Sequence, residues 1–290
     1  MIGSGVTGAF LAERYTRAAE VTLGGAATKN TAKNAIFILL AGAPSHTDTF
    51  DLKVVPGVTP TSFAPGTVNG ILWPAGLLPK LGGILGTFSI VRSARSHALV
   101  HSLAQTWTQI GRNPAAALGN IAPNVGSIVA IEKDKERQPG QIFPAFLALN
   151  SGGGVGAGYL PASYAPFRVT PSAGGIANTT NPDGQAAFYG RWQLMHSLDD
   201  NLRVAAPNGQ PLRDFDDFYW SADKLMYNPA VNQAFGFTAA DSARYGSTTL
   251  GNACLVAGQV LKANQGTRFI QITSNDGWDM HSNIYAAQTR

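Results

Sequence analysis

Two groups of carboxylates and imidazoles, each following directly on an apolar run, are the residues of this sequence best equipped for chemistry. His46, Asp48 and Asp51 stand in Ala43-Pro-Ser-His-Thr-Asp-Thr-Phe-Asp51, after the run Asn34–Leu40, and Asp279 and His281 stand in Asp276-Gly-Trp-Asp-Met-His281, after Arg268–Thr273. Carboxylate oxygen and imidazole nitrogen ligate zinc and harder divalent cations, and two such groups at i and i+2 of a loop can turn toward one ion. Asp48, Asp279, His281 and His46 are therefore the candidate ligands of a divalent metal, Zn, Ca or Mn. Each residue on the first loop also has a plainer role open to it. Asp48 or Ser45 could cap a helix after the first strand, Asp51 could pair with Lys53, and His46 could hydrogen-bond to backbone.

A third concentration of chemistry lies at 91–102, where Arg92, Arg95, His97, His101 and Ser102 fall within one short stretch. Arginine forks chelate oxyanions and helix N-terminal amides add to the attraction. Arg92 and Arg95 are thus candidate clamps for an anionic substrate, and His101 is a candidate nucleophile or ligand. Ser102 is a nucleophile only where a metal or base activates it. The alternative is a capped helix with solvated arginines.

The elements that must position these groups are legible as strands and helices in alternation, which favours a mostly parallel sheet. Short continuous apolar runs predict strands near 35–41, 88–91, 143–149 and 268–273. Helical periodicity predicts helices at 77–85, 96–110, 120–133, 185–198, 212–227, 229–235 and 249–264, the last closed by Gly266, and sets His97 and His101 on one face. In such sheets the loops beyond the carboxyl ends of parallel strands line the ligand crevice, so the two acidic loops can meet. Residues 54–76 read as loop chemistry. Residues 151–187 read as a polar, glycine-rich excursion at the rim of a site. Its glycines are followed by Tyr159-Leu-Pro161 and not by a helix, which argues against a phosphate loop. His196 reads as structural.

Composition narrows the classes. With 290 residues, 44% hydrophobic and 13% charged, the chain suits one large globular domain. A net charge of +4 comes from scattered Lys and Arg without aromatic interleaving, so nucleic acid is not an expected partner. No run approaches the length of a membrane-spanning helix, and oligomeric state is not readable. Cys254, the single cysteine, lies in an apolar run and reads as a buried, inert thiol. Residues 2–12 are small and apolar like the core of an export signal. The expected organisation is an export-signal remnant and linker over 1–33 and one domain over 34–290, in a protein of the periplasm or cell exterior.

Taken together, Ala41–Asp51, Val91-Arg-Ser93, His101–Gly111 and Gly277-Trp-Asp-Met-His281 resemble a large bacterial family of exported proteins, described as a domain of unknown function and related to sulfatases and alkaline phosphatases. The likeness runs from about residue 34 to 290. It implies a three-layer α/β/α fold with a mostly parallel central sheet, alkaline phosphatase-like, and a metal site at the sheet's carboxyl edge. It implies Asp48 as an early-strand ligand and Asp279 with His281 as the later Asp and His pair. His101 falls near the superfamily's nucleophile position, ahead of Gly111, which departs from the usual ester-hydrolysing pattern. Family members continue past this motif into further ligand-bearing segments, so the chain is expected to be C-terminally truncated. The function implied is metal-dependent hydrolysis of small sulfate or phosphate esters. The alternatives are a non-catalytic anion- or glycan-binding protein and a structural surface component.

Overall fold

A computed structural model describes residues 31–288 except 97, 205 and 206. The export-signal reading of residues 2–12 and the reading of His97 lie outside the described residues. Contacts divide the chain into two units, Met1–Lys33 and Asn34–Arg290, and the second is described below.

In chain order its elements are β1 (Ala35–Leu40), β2 (Pro65–Val68), β3 (Ile71–Pro74), α1 (Pro79–Gly82), α2 (His101–Ile110), α3 (Val125–Asp134), β4 (Phe146–Leu149), β5 (Phe167–Val169), α4 (Gly184–Asp199), α5 (Gly209–Leu225), α6 (Pro229–Phe235), α7 (Ala239–Arg244), α8 (Thr249–Ala263), β6 (Phe269–Ser274) and α9 (Ile284–Gln288). Four strands form one all-parallel sheet in the order β1-β6-β4-β5, and β2 pairs with β3 as a separate antiparallel hairpin.

The sheet carries helices on both faces because its central strands are apolar on both. Phe146, Ala148 and Phe269 pack with Ala130 of α3 on one side. Leu147, Leu149, Ile270 and Ile272 point to the other, against Val256 and Val260 of α8 and Val231 and Phe235 of α6. Side chains alternate across a strand, so fully apolar runs are what a sheet covered on two sides requires. At Gly126 a Cβ would stand 2.6 Å from the Phe269 ring and 2.7 Å from that of Phe146. The missing side chain is what lets α3 sit directly on the strands. Asn124 caps α3 by accepting from the Gly126 amide at 2.8 Å, and Thr248 caps α8 by accepting from Gly251 at 3.0 Å.

Several expectations shift. No strand forms at 88–91, which runs as irregular chain along a cleft instead. The proline-rich 54–76 segment holds the β2–β3 hairpin, whose turn residues Asn69 and Gly70 both have positive φ, 49° and 78°; an Asn-Gly pair between apolar residues is the standing signal for such a turn. β5 and the single-turn-scale α7 arise where no element was expected. The α8 helix ends on Asn264, left-handed at φ 50°, rather than on Gly266. Cys254 is half-buried and free, and burial raises its thiol's pKa. Among the described residues no helix is long and apolar enough to cross a membrane.

Candidate functional site at the carboxyl edge of the sheet

The register that aligns Leu40 with Ser274 starts the loops after β1 and β6 side by side. They touch at once: Gly42, at φ +91°, lies where a Cβ would be 2.7 Å from the backbone N of Asp279 and 3.3 Å from the carbonyl carbon of Trp278. The second loop is tied down by Trp278, whose indole N–H donates to Ser274 Oγ at 3.0 Å. Asn275 donates its amide to the Asn150 carbonyl at 3.1 Å, fixing the same loop to the end of β4.

On this base three of the expected residues come together. His281 Nε2 lies 3.0 Å and His101 Nε2 3.1 Å from the same oxygen, Asp279 Oδ1. The hydrogen bond from His281 is the main cause that holds the Asp279 carboxyl below its ordinary pKa; slight desolvation opposes it, and His101 adds to the lowering. His101 is the first residue of α2, so the start of that helix is pinned to the loop after β6.

Other expected residues lie apart from this triad. Asp48 is buried within a single helical turn, 9% exposed, and accepts from the Ser45 hydroxyl at 2.6 Å; Ser45 makes no side-chain cap of that turn. Asp51 pairs with Lys53 at 3.0 Å and with Arg92 at 3.4 Å. Lys53 chiefly, and Arg92 after it, keep the Asp51 carboxyl below its usual pKa against a small desolvation penalty. His46, Asp51 and Arg92 share a cleft of about 490 Å³ with Phe50, Phe88 and Ile90. Arg95 is exposed. His196 stands between α4 and α5, bonded through Nδ1 to Asp200 at 2.6 Å and packed at a tilt against Trp192, ring centroids 4.1 Å apart.

Ser102 lines a different space, a polar cavity of about 270 Å³ beyond the ends of β4 and β6. Its floor is a buried amide network that the sequence reading missed. Asn124 Nδ2 donates to Gln271 Oε1 at 3.0 Å, Gln271 Nε2 to Gln109 Oε1 at 3.1 Å, and Gln109 Nε2 to the Gln105 carbonyl at 3.0 Å. The signal was present as Gln271 in the middle of the otherwise apolar run Phe269-Ile-Gln-Ile272, since a polar side chain at a buried strand position must be hydrogen-bonded.

Ligands about 2.0–2.1 Å from one ion, at about 90–109° to each other, lie about 2.9–3.4 Å apart. The separations at Asp279 match that edge, and carboxylate with imidazole is the donor chemistry such an ion takes. Among the described residues no group of three or more His, Cys, Asp and Glu forms a ready-made metal site.

Residues 32–290 match the family model described as "Protein of unknown function (DUF1501)". No curated protein and no solved structure matches the chain.

Proposed function

We propose, on the premise that the chain belongs to the DUF1501 family of proteins of unknown function, that it is a divalent-metal-dependent hydrolase of small sulfate or phosphate esters on an alkaline phosphatase-like domain. The observation that carries this reading is the meeting of His101 and His281 on Asp279, beyond the carboxyl ends of parallel strands, where ligands bind in sheets of this kind. Asp279 and His281 would hold the ion; Asp48 and His46, which stand apart from them on the loop after β1, would join only by a shift of that loop. A bound Zn, Mn or Ca ion supplies Lewis-acid polarisation of the ester oxygens and a more acidic bound water.

The remaining roles fall to the chain's own side chains. The Asp279 carboxylate fixes the His101 imidazole, which suits His101 to carry a proton to or from the ester. Arg92, in the cleft with His46, offers its guanidinium to the oxyanion, and Arg95 adds positive charge nearby in sequence. Ser102 is the hydroxyl adjacent to His101 and lines the polar cavity. The reading takes the protein as exported, to the periplasm or cell exterior, in keeping with its leader-like residues 2–12.

Elemental analysis of the 290-residue chain purified without chelator tests this, alongside turnover of p-nitrophenyl sulfate and p-nitrophenyl phosphate. The expected result is one or two ions per chain, lost in Asp279→Ala together with turnover. A metal-free protein that cleaves neither ester after incubation with Zn, Mn or Ca overturns it.

A further inference from the structure

The cavity beside Ser102 differs in chemistry from the charged groups around it. Among the described residues none that lines it is charged. Ser102, Gln105, Asn150, Ser151, Gln271 and Thr273 give it hydroxyls and amides, groups that both donate and accept. We infer that this cavity, bounded by neutral amide and hydroxyl side chains at the ends of β4 and β6, binds an uncharged polyhydroxylated moiety, a sugar or an open-chain polyol. The inference deepens the hydrolase reading and rests on it only for the claim that this moiety is the alcohol part of the ester.

Exclusion leads to the same ligand class. A charged ligand group would find no counter-charge in the wall, and an apolar one would strip water from amides without replacing its hydrogen bonds; both are costly. A hydroxyl-bearing group leaves neither cost, because each hydroxyl can donate to a carbonyl oxygen and accept from an N–H. The volume, about 270 Å³, is just below the usual range of about 300–1,000 Å³ for small-molecule sites, which suits a fragment of monosaccharide size.

One feature of the wall favours binding. Gln271 and Gln109 are locked by their mutual bond and by Asn124, so part of the wall is oriented before any ligand arrives. Asn150 and Thr273, 8% and 9% exposed, carry Oδ1 and Oγ1 atoms that are buried without a hydrogen-bond partner. Both residues stand on this wall, but those two atoms have almost no surface open to the cavity, so the side chains that meet a ligand are Ser102, Gln105 and Ser151.

Two variants separate binding from folding. Gln105→Met removes a partly exposed wall amide at nearly constant size. In Gly153→Leu a side chain is added on the cavity's rim, where a Cβ meets nothing within 4 Å. Saturation-transfer difference NMR would be recorded with methyl glucoside, methyl galactoside and sorbitol as probes on the wild-type chain, both variants and Asp279→Ala. The expected result is saturable millimolar binding of at least one probe, weakened fivefold or more in Gln105→Met and in Gly153→Leu, with melting temperature unchanged in Gln105→Met. Preference for the glycosides over sorbitol identifies a sugar, and the reverse identifies an open-chain polyol. No saturable binding, or binding that both variants leave intact, overturns the inference. Because Asp279→Ala is expected to keep the binding, sugar binding without metal or turnover would sink the hydrolase reading alone, and metal-dependent turnover without saturable sugar binding would sink the cavity alone.

Discussion

At Gly42 the chain has φ +91° and passes so close to Asp279 that any β-carbon would collide with backbone. The residue with the least chemistry on the first loop thus decides where the carboxylate on the second one stands. Gly42→Ala is expected to destabilise the domain by about 1–3 kcal/mol through backbone strain and displacement, measured by denaturant unfolding, and to lower turnover and metal content even in the fraction that stays folded. The chemistry of Asp279, His281 and His101 was legible as residue types. Their meeting on one oxygen was not, because His101 approaches from a separate helix. Conversely, Asp51 shows the salt bridge to Lys53 that its spacing allowed, with Arg92 added from a segment no local reading could place.

The elements whose apolar residues are buried, α6 and α8, were readable nearly to their ends, since tertiary packing uses the same apolar face that the pattern announces. The elements that were missed are short. β5 has three residues and β2 four, too few to show a period, and the hairpin announced itself only through Asn69-Gly70. The stretch 88–91 has the composition of a strand but no neighbour to pair with, and strand propensity without a partner does not make a strand. Asn124 joins two scales, because one side chain caps α3 and bridges Gln271 to Gln109. Asn124→Ala removes both, leaving amides unsatisfied, and is expected to cost about 1–3 kcal/mol; thermal unfolding followed by circular dichroism would read it as a drop in Tm.

At the scale of the whole molecule the sheet is covered unevenly. β6 is buried at every position, whereas β1 is an edge strand among the described residues, with Ile36 and Ile38 each 48% exposed. Both lie on the face that α8 covers over β6 and β4, and a bare apolar edge is a template for association. Replacing Ile36 and Ile38 together by Thr is expected to reduce concentration-dependent self-association in light scattering, at a change in stability under about 1 kcal/mol.

The sequence by itself determined the class of the fold, through strands apolar on both faces alternating with amphipathic helices, and the kinds of chemical group at the strand ends, because residue type and local period are local properties. Only the tertiary structure decided which groups meet: the β1–β6 register that sets Gly42 against Asp279, the helix start that brings His101 to it, and the amide floor under the neutral cavity. Those are contacts between segments far apart in the chain, and no local pattern encodes the distance between them.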